Sequence, residues 1–100
     1  MARIPRAPKH LSAEARRIWR RVLREWQLGE AELLLLQQAL EAYDRIRQAR
    51  EILEREGLVV RTKKTGAHHM HPAYRIESDA RAAMTRALRA LNLKITELGG

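Results

Sequence analysis

The sequence predicts an all-α fold: a helical hairpin with a long central helix, then a basic loop or marginal β-hairpin, then a third helix. Three observations predict it. Apolar residues recur at spacings of three and four in three separate stretches. Ser12, Gly29, Gly57 and Pro72 stand at the boundaries of those stretches, where helices start and stop. Only the interval 58–71 loses the helical period. One hundred residues with 45% hydrophobic content can build one core and not two. The expected organisation is a flexible basic arm over 1–11, a single helical domain over 12–92 and a tail over 93–100.

Pro5 and Pro8 keep the first residues extended, and Ser12 is a good N-cap for a helix expected over about 12–27. Ala15, Ile18, Trp19, Val22, Leu23 and Trp26 fall on one stripe of that helix, and Gly29 stops it. Glu30 and Glu32 put negative charge where a helix dipole favours it, opening a second helix over about 30–56 that Gly57 ends. At 1.5 Å per residue this helix is about 40 Å long, nearly twice what the first can cover. Leu33, Leu36, Leu40, Tyr43, Ile46, Ala49 and Leu53 form a heptad-like seam, while Leu34, Leu35 and Ile52 point elsewhere. The seam residues Leu33, Leu36, Leu40, Tyr43, Ile46 and Leu53 are the candidates for self-association.

In 58–71, Leu58-Val59-Val60 has β character, Arg61 to Gly66 is a basic turn, and Ala67 to Met70 can return as a short strand. Pro72 suits the first position of a third helix over about 72–92, with His71 before it. Ile76, Ala80, Ala83, Met84, Ala87, Leu88 and Leu91 mark its apolar face.

Charge narrows the partner. Twenty Lys and Arg against 12 Asp and Glu give a net charge of +8, which favours a polyanion. The distribution is uneven: residues 1–28 carry +6, 29–57 carry −3 and 58–100 carry +5. This pattern reads as an acidic helix for assembly or solvent contact, between elements that meet an anion. On the first helix Arg16, Arg17, Arg20, Arg21 and Arg24 centre about 160° from the apolar stripe. Two acids, Glu14 and Glu25, cannot neutralise five guanidiniums, and arginine at this density suits bidentate phosphate contacts. The plain alternative is a solvated face in an Arg-rich chain. Arg3, Arg6 and Lys9 on the arm extend the candidate footprint, and Arg61, Lys63 and Lys64 on the loop form a third cluster. Four aromatics and no Phe supply few stacking platforms, so duplex DNA fits better than single strands.

Other chemistries find little support. The chain has no Cys, which excludes disulfides, thiolate nucleophiles and zinc-thiolate sites. His68, His69 and His71 have no carboxylate in the same loop, so no metal site is expected. No nucleophile has a recognisable base, no Gly-rich phosphate loop exists, and no cofactor is expected. The longest apolar run, Leu33 to Leu36, is far short of the roughly 20 residues of a membrane span. The basic N-terminus lacks the apolar region of a secretory signal. Trp19, Trp26 and Tyr43 fall in apolar seams and read as core.

One family shares this order of landmarks. A Pro-containing basic start leads to Leu11, Ala15 and Trp19. A long Leu-rich helix follows with Tyr43 and Asp44, then Gly57 and a β-like basic loop, His71-Pro72-Ala73, Ile76-Glu77 and a final Leu88-Arg89-Ala90-Leu91-Asn92-Leu93. From about Pro8 to Leu93 the chain resembles the small terminase subunits of tailed bacteriophages. The resemblance implies a non-enzymatic packaging factor in the cytoplasm of the bacterial host. Such a factor engages double-stranded viral DNA, assembles into a homo-oligomeric ring and regulates the ATPase and nuclease of the large terminase subunit. Two departures stand out. Family members commonly have Asn where this chain has His71, and many continue past the last helix; if the contact with the large subunit uses that extension, it is expected here on residues 93–100 or on the core. Two other readings compete. One is a structural adaptor whose basic faces mate with acidic protein surfaces. The other is a cellular DNA-binding helical protein, for which a 27-residue acidic second helix is the wrong shape.

Overall fold

Ser12 opens the first helix by accepting a hydrogen bond from the Ala15 N–H at 3.0 Å, as its sequence context predicts. The computed structural model describes residues 4–92. They form α1 (Ala13–Glu25), α2 (Glu30–Glu56), β1 (Val59–Arg61), β2 (His68–Met70) and α3 (Pro72–Leu91). α2 and α3 are thus joined by a two-stranded antiparallel hairpin rather than by a plain loop. α1 ends before Trp26, which turns extended at φ −128°, ψ 141° and still packs its ring against the core.

α2 starts where the Glu32 carboxylate accepts the Gly29 N–H at 2.9 Å, satisfying one of the first-turn donors. It stops at Gly57, whose φ of +83° is open to glycine at little cost. At the start of α3, His71 Nδ1 accepts the Ala73 N–H at 3.0 Å while Nε2 meets Glu56 at 2.9 Å. A histidine therefore caps α3 and at the same time ties it to the end of α2. Asn92 closes α3 in the left-handed conformation, φ 54°.

α3 returns antiparallel along α2. Leu91 packs with Leu36 and Leu40, whereas Ala73 packs with Ala49 and Leu53. Small residues make the contact: Ala42 and Ala49 on α2, and Ala73, Ala80 and Ala87 on α3, all buried at seven-residue intervals. Side chains this short let helix axes approach to the low end of the 8–10 Å range. The expected apolar face of α3 needs one correction. Ile76 is 48% exposed, and Glu77, only 8% exposed, occupies the inward position. Its carboxylate is held by Arg81 at 2.8 Å and lies 3.6 Å from Arg50 of α2, so the burial is tolerated by pairing.

α1 lies antiparallel along the N-terminal half of α2, and its Ala15, Trp19 and Val22 meet Leu36 and Leu40. Beyond Arg47, where α1 makes its last clamp, α2 packs against α3. The result is a stem of 62 × 25 × 23 Å with a radius of gyration of 16.9 Å, above the roughly 13 Å of a compact domain this size.

Candidate nucleic-acid interface

A cationic face is useful only if the helix that carries it is held in place, and α2 holds α1 with polar clamps. Asp44 accepts from the Ser12 N–H at 2.8 Å and from Ser12 Oγ at 2.6 Å. Glu14 accepts from the Tyr43 hydroxyl and pairs with Arg47, whose guanidinium sits 5.8 Å from the Tyr43 ring centroid, within cation–π range. His10 pairs with Glu41 at 2.6 Å. Burial pushes the Glu41 carboxyl upward, but hydrogen bonds from Gln37 and His10 and the charges of His10 and Arg45 outweigh it, leaving the group below its ordinary value.

The segment before α1 is pinned as well. Composition reads residues 1–11 as a flexible arm, yet Leu11 is 3% exposed and Trp19 Nε1 donates to the Pro5 carbonyl at 2.9 Å. Ala7 packs on the same core. Residues 4–11 therefore run back over α1. Arg3 lies outside the described residues, as does the tail 93–100.

With Ala15, Trp19 and Val22 inward, Arg17, Arg20, Arg21 and Arg24 are exposed and Arg16 is half-buried. Arg16, Arg20 and Arg24 line a groove of about 430 Å³ with Ile4, Pro5, Arg6 and Ala7 of the arm. Arg17, Arg21 and Arg24 line a second depression beside Glu25. Arg24 is shared, so the guanidiniums form one continuous strip two rows wide. Among the described residues Arg16, Arg17, Arg20 and Arg24 have no ion-pair partner, while Glu14 on the same helix is turned toward Arg47 of α2. Arg6 stands exposed beside this strip, and Lys9 is exposed on the same arm.

The third cluster lies elsewhere. Arg61 is on β1 and Lys63 and Lys64 are in the turn, all exposed, at the far end of α2. The 27-residue helix places them about 40 Å from the start of the stem. The strip and the hairpin are therefore separate surfaces.

The seam residues have a different place. Leu36 and Leu40 lie in the core shared by the three helices, and Leu53 in the smaller core under α3. Leu33 and Tyr43 pack against the first core, and Ile46 is half-buried. Their apolar area is covered largely within one chain. Four of the seven acids of α2 are engaged too: Glu32 at Gly29, Glu41 at His10, Asp44 at Ser12 and Glu56 at His71. The negative middle of the sequence fastens the starts of α1, α2 and α3. Sequence reasoning missed this role. Glu32 two residues after Glu30 suggests a first-turn acid, but the Asp44, Glu41 and Glu56 contacts join residues 15 to 32 apart, which no local pattern encodes.

The histidines separate likewise. His68 and His69 fall on opposite faces of β2, and His71 caps α3. Among the described residues no three His, Asp or Glu side chains are grouped to hold a metal ion. Nor is any helix there long and apolar enough to cross a membrane.

Fold and surface together define a small helical protein that presents an arginine strip from a helix clamped to a rigid stem. The family model described as phage terminase, small subunit, matches residues 14–97. The chain belongs to that family. Neither a curated protein nor a solved structure matches it significantly.

Proposed function

We propose that this protein is the small terminase subunit of a tailed bacteriophage. It is a non-catalytic regulator that recruits double-stranded viral DNA to the large terminase subunit, and modulates that partner's ATPase and nuclease, in the cytoplasm of the bacterial host. The observation that carries the reading is the strip of Arg16, Arg17, Arg20, Arg21 and Arg24. Four of these have no ion-pair partner among the described residues, on a helix fixed by Asp44 and Glu14. Guanidiniums on a fixed helix meet phosphates with no further cost in ordering the backbone, and phosphate contacts position a protein on a duplex. Arg6 and Lys9 extend this footprint. Arg61, Lys63 and Lys64 join that footprint only on a duplex that runs along the stem past the end of α2.

The protein works as a homo-oligomeric ring. An elongated stem with Leu34, Leu58, Tyr74 and Ile76 exposed offers apolar surface outside its own core, and a head-to-tail contact that closes makes a ring. The adaptor reading, with α2 of one copy against α1 of the next, is weakened because four acids of α2 already bind their own chain. A mobility-shift titration with duplex DNA, combined with the mass in solution, tests the proposal. A closed assembly of many copies that shifts DNA at low salt supports it. A stable assembly without DNA binding favours the adaptor, and a monomer contradicts the ring.

A further inference from the structure

The hairpin is a sheet of two three-residue strands, and its hydrogen bonds fix which backbone groups it leaves outside. His71 N–H donates to the Leu58 carbonyl at 2.7 Å and Thr62 N–H to the Ala67 carbonyl at 2.8 Å. With Val59 opposite Met70, Val60 opposite His69 and Arg61 opposite His68, these two bonds set the phase of the ladder. Residues 58, 60 and 62 turn their N–H and C=O groups toward β2. Val59 and Arg61 turn theirs outward, because paired and unpaired residues alternate in an antiparallel ladder.

The side chains of Val59 and Arg61 also share one face. Val59 is 51% exposed, and Met70 beside it is 45% exposed. Arg61 has no ion pair among the described residues. Its guanidinium lies over Gly66, where a Cβ would come within 3.3 Å of it. The outer edge of β1 therefore offers two N–H donors, two C=O acceptors, one apolar side chain and one cation.

We propose that this edge is a docking site for an extended segment of another protein, which adds to β1 as an antiparallel strand and carries an acidic residue two positions before an apolar one. Antiparallel pairing sets the acidic residue opposite Arg61 and the apolar residue opposite Val59, and cross-strand pairs of these kinds are stabilising. Duplex DNA is the poorer occupant. Phosphate oxygens accept hydrogen bonds, and half of the edge groups are themselves acceptors. A second copy of the hairpin is poorer still, since it brings the same cations to the edge. The site is distinct from the α1 strip and does not depend on it.

The test is a fluorescence anisotropy titration of the whole chain with a labelled synthetic peptide of Thr residues containing Glu-Thr-Val, against a version with Lys in place of Glu. The Glu peptide binds the parent chain and the Arg17→Ala/Arg20→Ala/Arg24→Ala variant equally. Arg61→Glu weakens it about tenfold and gains affinity for the Lys peptide instead. Val59→Pro removes one edge donor, leaves the ladder bonds in place and also loses the Glu peptide. Far-ultraviolet circular dichroism of both variants verifies the helices. Equal binding of the two peptides to parent and Arg61→Glu overturns the proposal. So does a loss of duplex DNA binding or of oligomer mass in Arg61→Glu without loss of the peptide, which would assign the edge to DNA or to a second copy.

Discussion

Asp44 on α2 receives both the backbone N–H and the hydroxyl of Ser12, at 2.8 and 2.6 Å, while the same hydroxyl oxygen caps α1 at Ala15. Helix start and helix docking are thus one arrangement. Asp44→Ala removes the acceptor and leaves the cap without its anchor. The expected cost is about 1.5–3 kcal/mol, the range for hydrogen bonds to a charged group. Urea unfolding followed by Trp fluorescence reads this out, since Trp19 is buried in the core that α1 forms with α2.

A second prediction concerns the alanine contact between α2 and α3. Ala80 is 3% exposed, and a larger side chain there must push the helices apart. Ala80→Leu is expected to destabilise by about 1–3 kcal/mol through overpacking, whereas Leu at exposed Arg75 changes little. Thermal unfolding of the two variants makes the comparison.

His71 supplies the third. Asn caps helices well, so His71→Asn retains stability to within about 0.5 kcal/mol, while His71→Ala loses roughly 0.5–2 kcal/mol. Equal loss in both variants would show that the Glu56 contact, and not the cap, is what matters at this position.

Acid stability provides the fourth. Glu41 is lowered from 4.5 for the reasons given above. Glu56 is lowered by hydrogen bonds from His71 and Arg55 that outweigh desolvation. A carboxyl lowered in the folded state binds fewer protons there than in the unfolded state. Its contribution is therefore present above its ordinary value and lost as pH falls through the folded value. Both groups are partly or fully solvated, so the effect is small. The urea midpoint declines between about pH 5 and pH 3, and the decline is shallower in Glu41→Gln.

The helices were legible because their ends carry local chemistry: a Ser12 cap, glycines at 29 and 57, and Pro72 at a first turn. The hairpin was half legible, since three-residue strands leave too short a period to separate from a loop. The arm was not legible. Pro5 and Pro8 describe backbone stiffness, but the Trp19 bond to the Pro5 carbonyl joins residues fourteen apart. Ile76 and Glu77 exchange their expected environments because α3 is rotated to seat Ala73, Ala80 and Ala87 against α2. An i,i+4 pair with Arg81 hinted at Glu77's partner but not at its burial. The arginine strip was the most legible part of the site, because a helix of known stripe fixes its opposite face. Its separation from Arg61, Lys63 and Lys64 became visible only once α1 was placed against Leu36, Leu40 and Asp44, with the hairpin following the last residue of α2.

The central claim is that the α1 strip holds duplex DNA by its phosphates, and the salt dependence of affinity tests it most directly. Each phosphate contact contributes about 0.9 to the slope of log affinity against log salt. Replacing Arg17, Arg20 and Arg24 by Ala is expected to weaken binding and flatten that slope by up to about 2.7, with helical content unchanged. An unaltered affinity and slope in the triple variant would contradict the account.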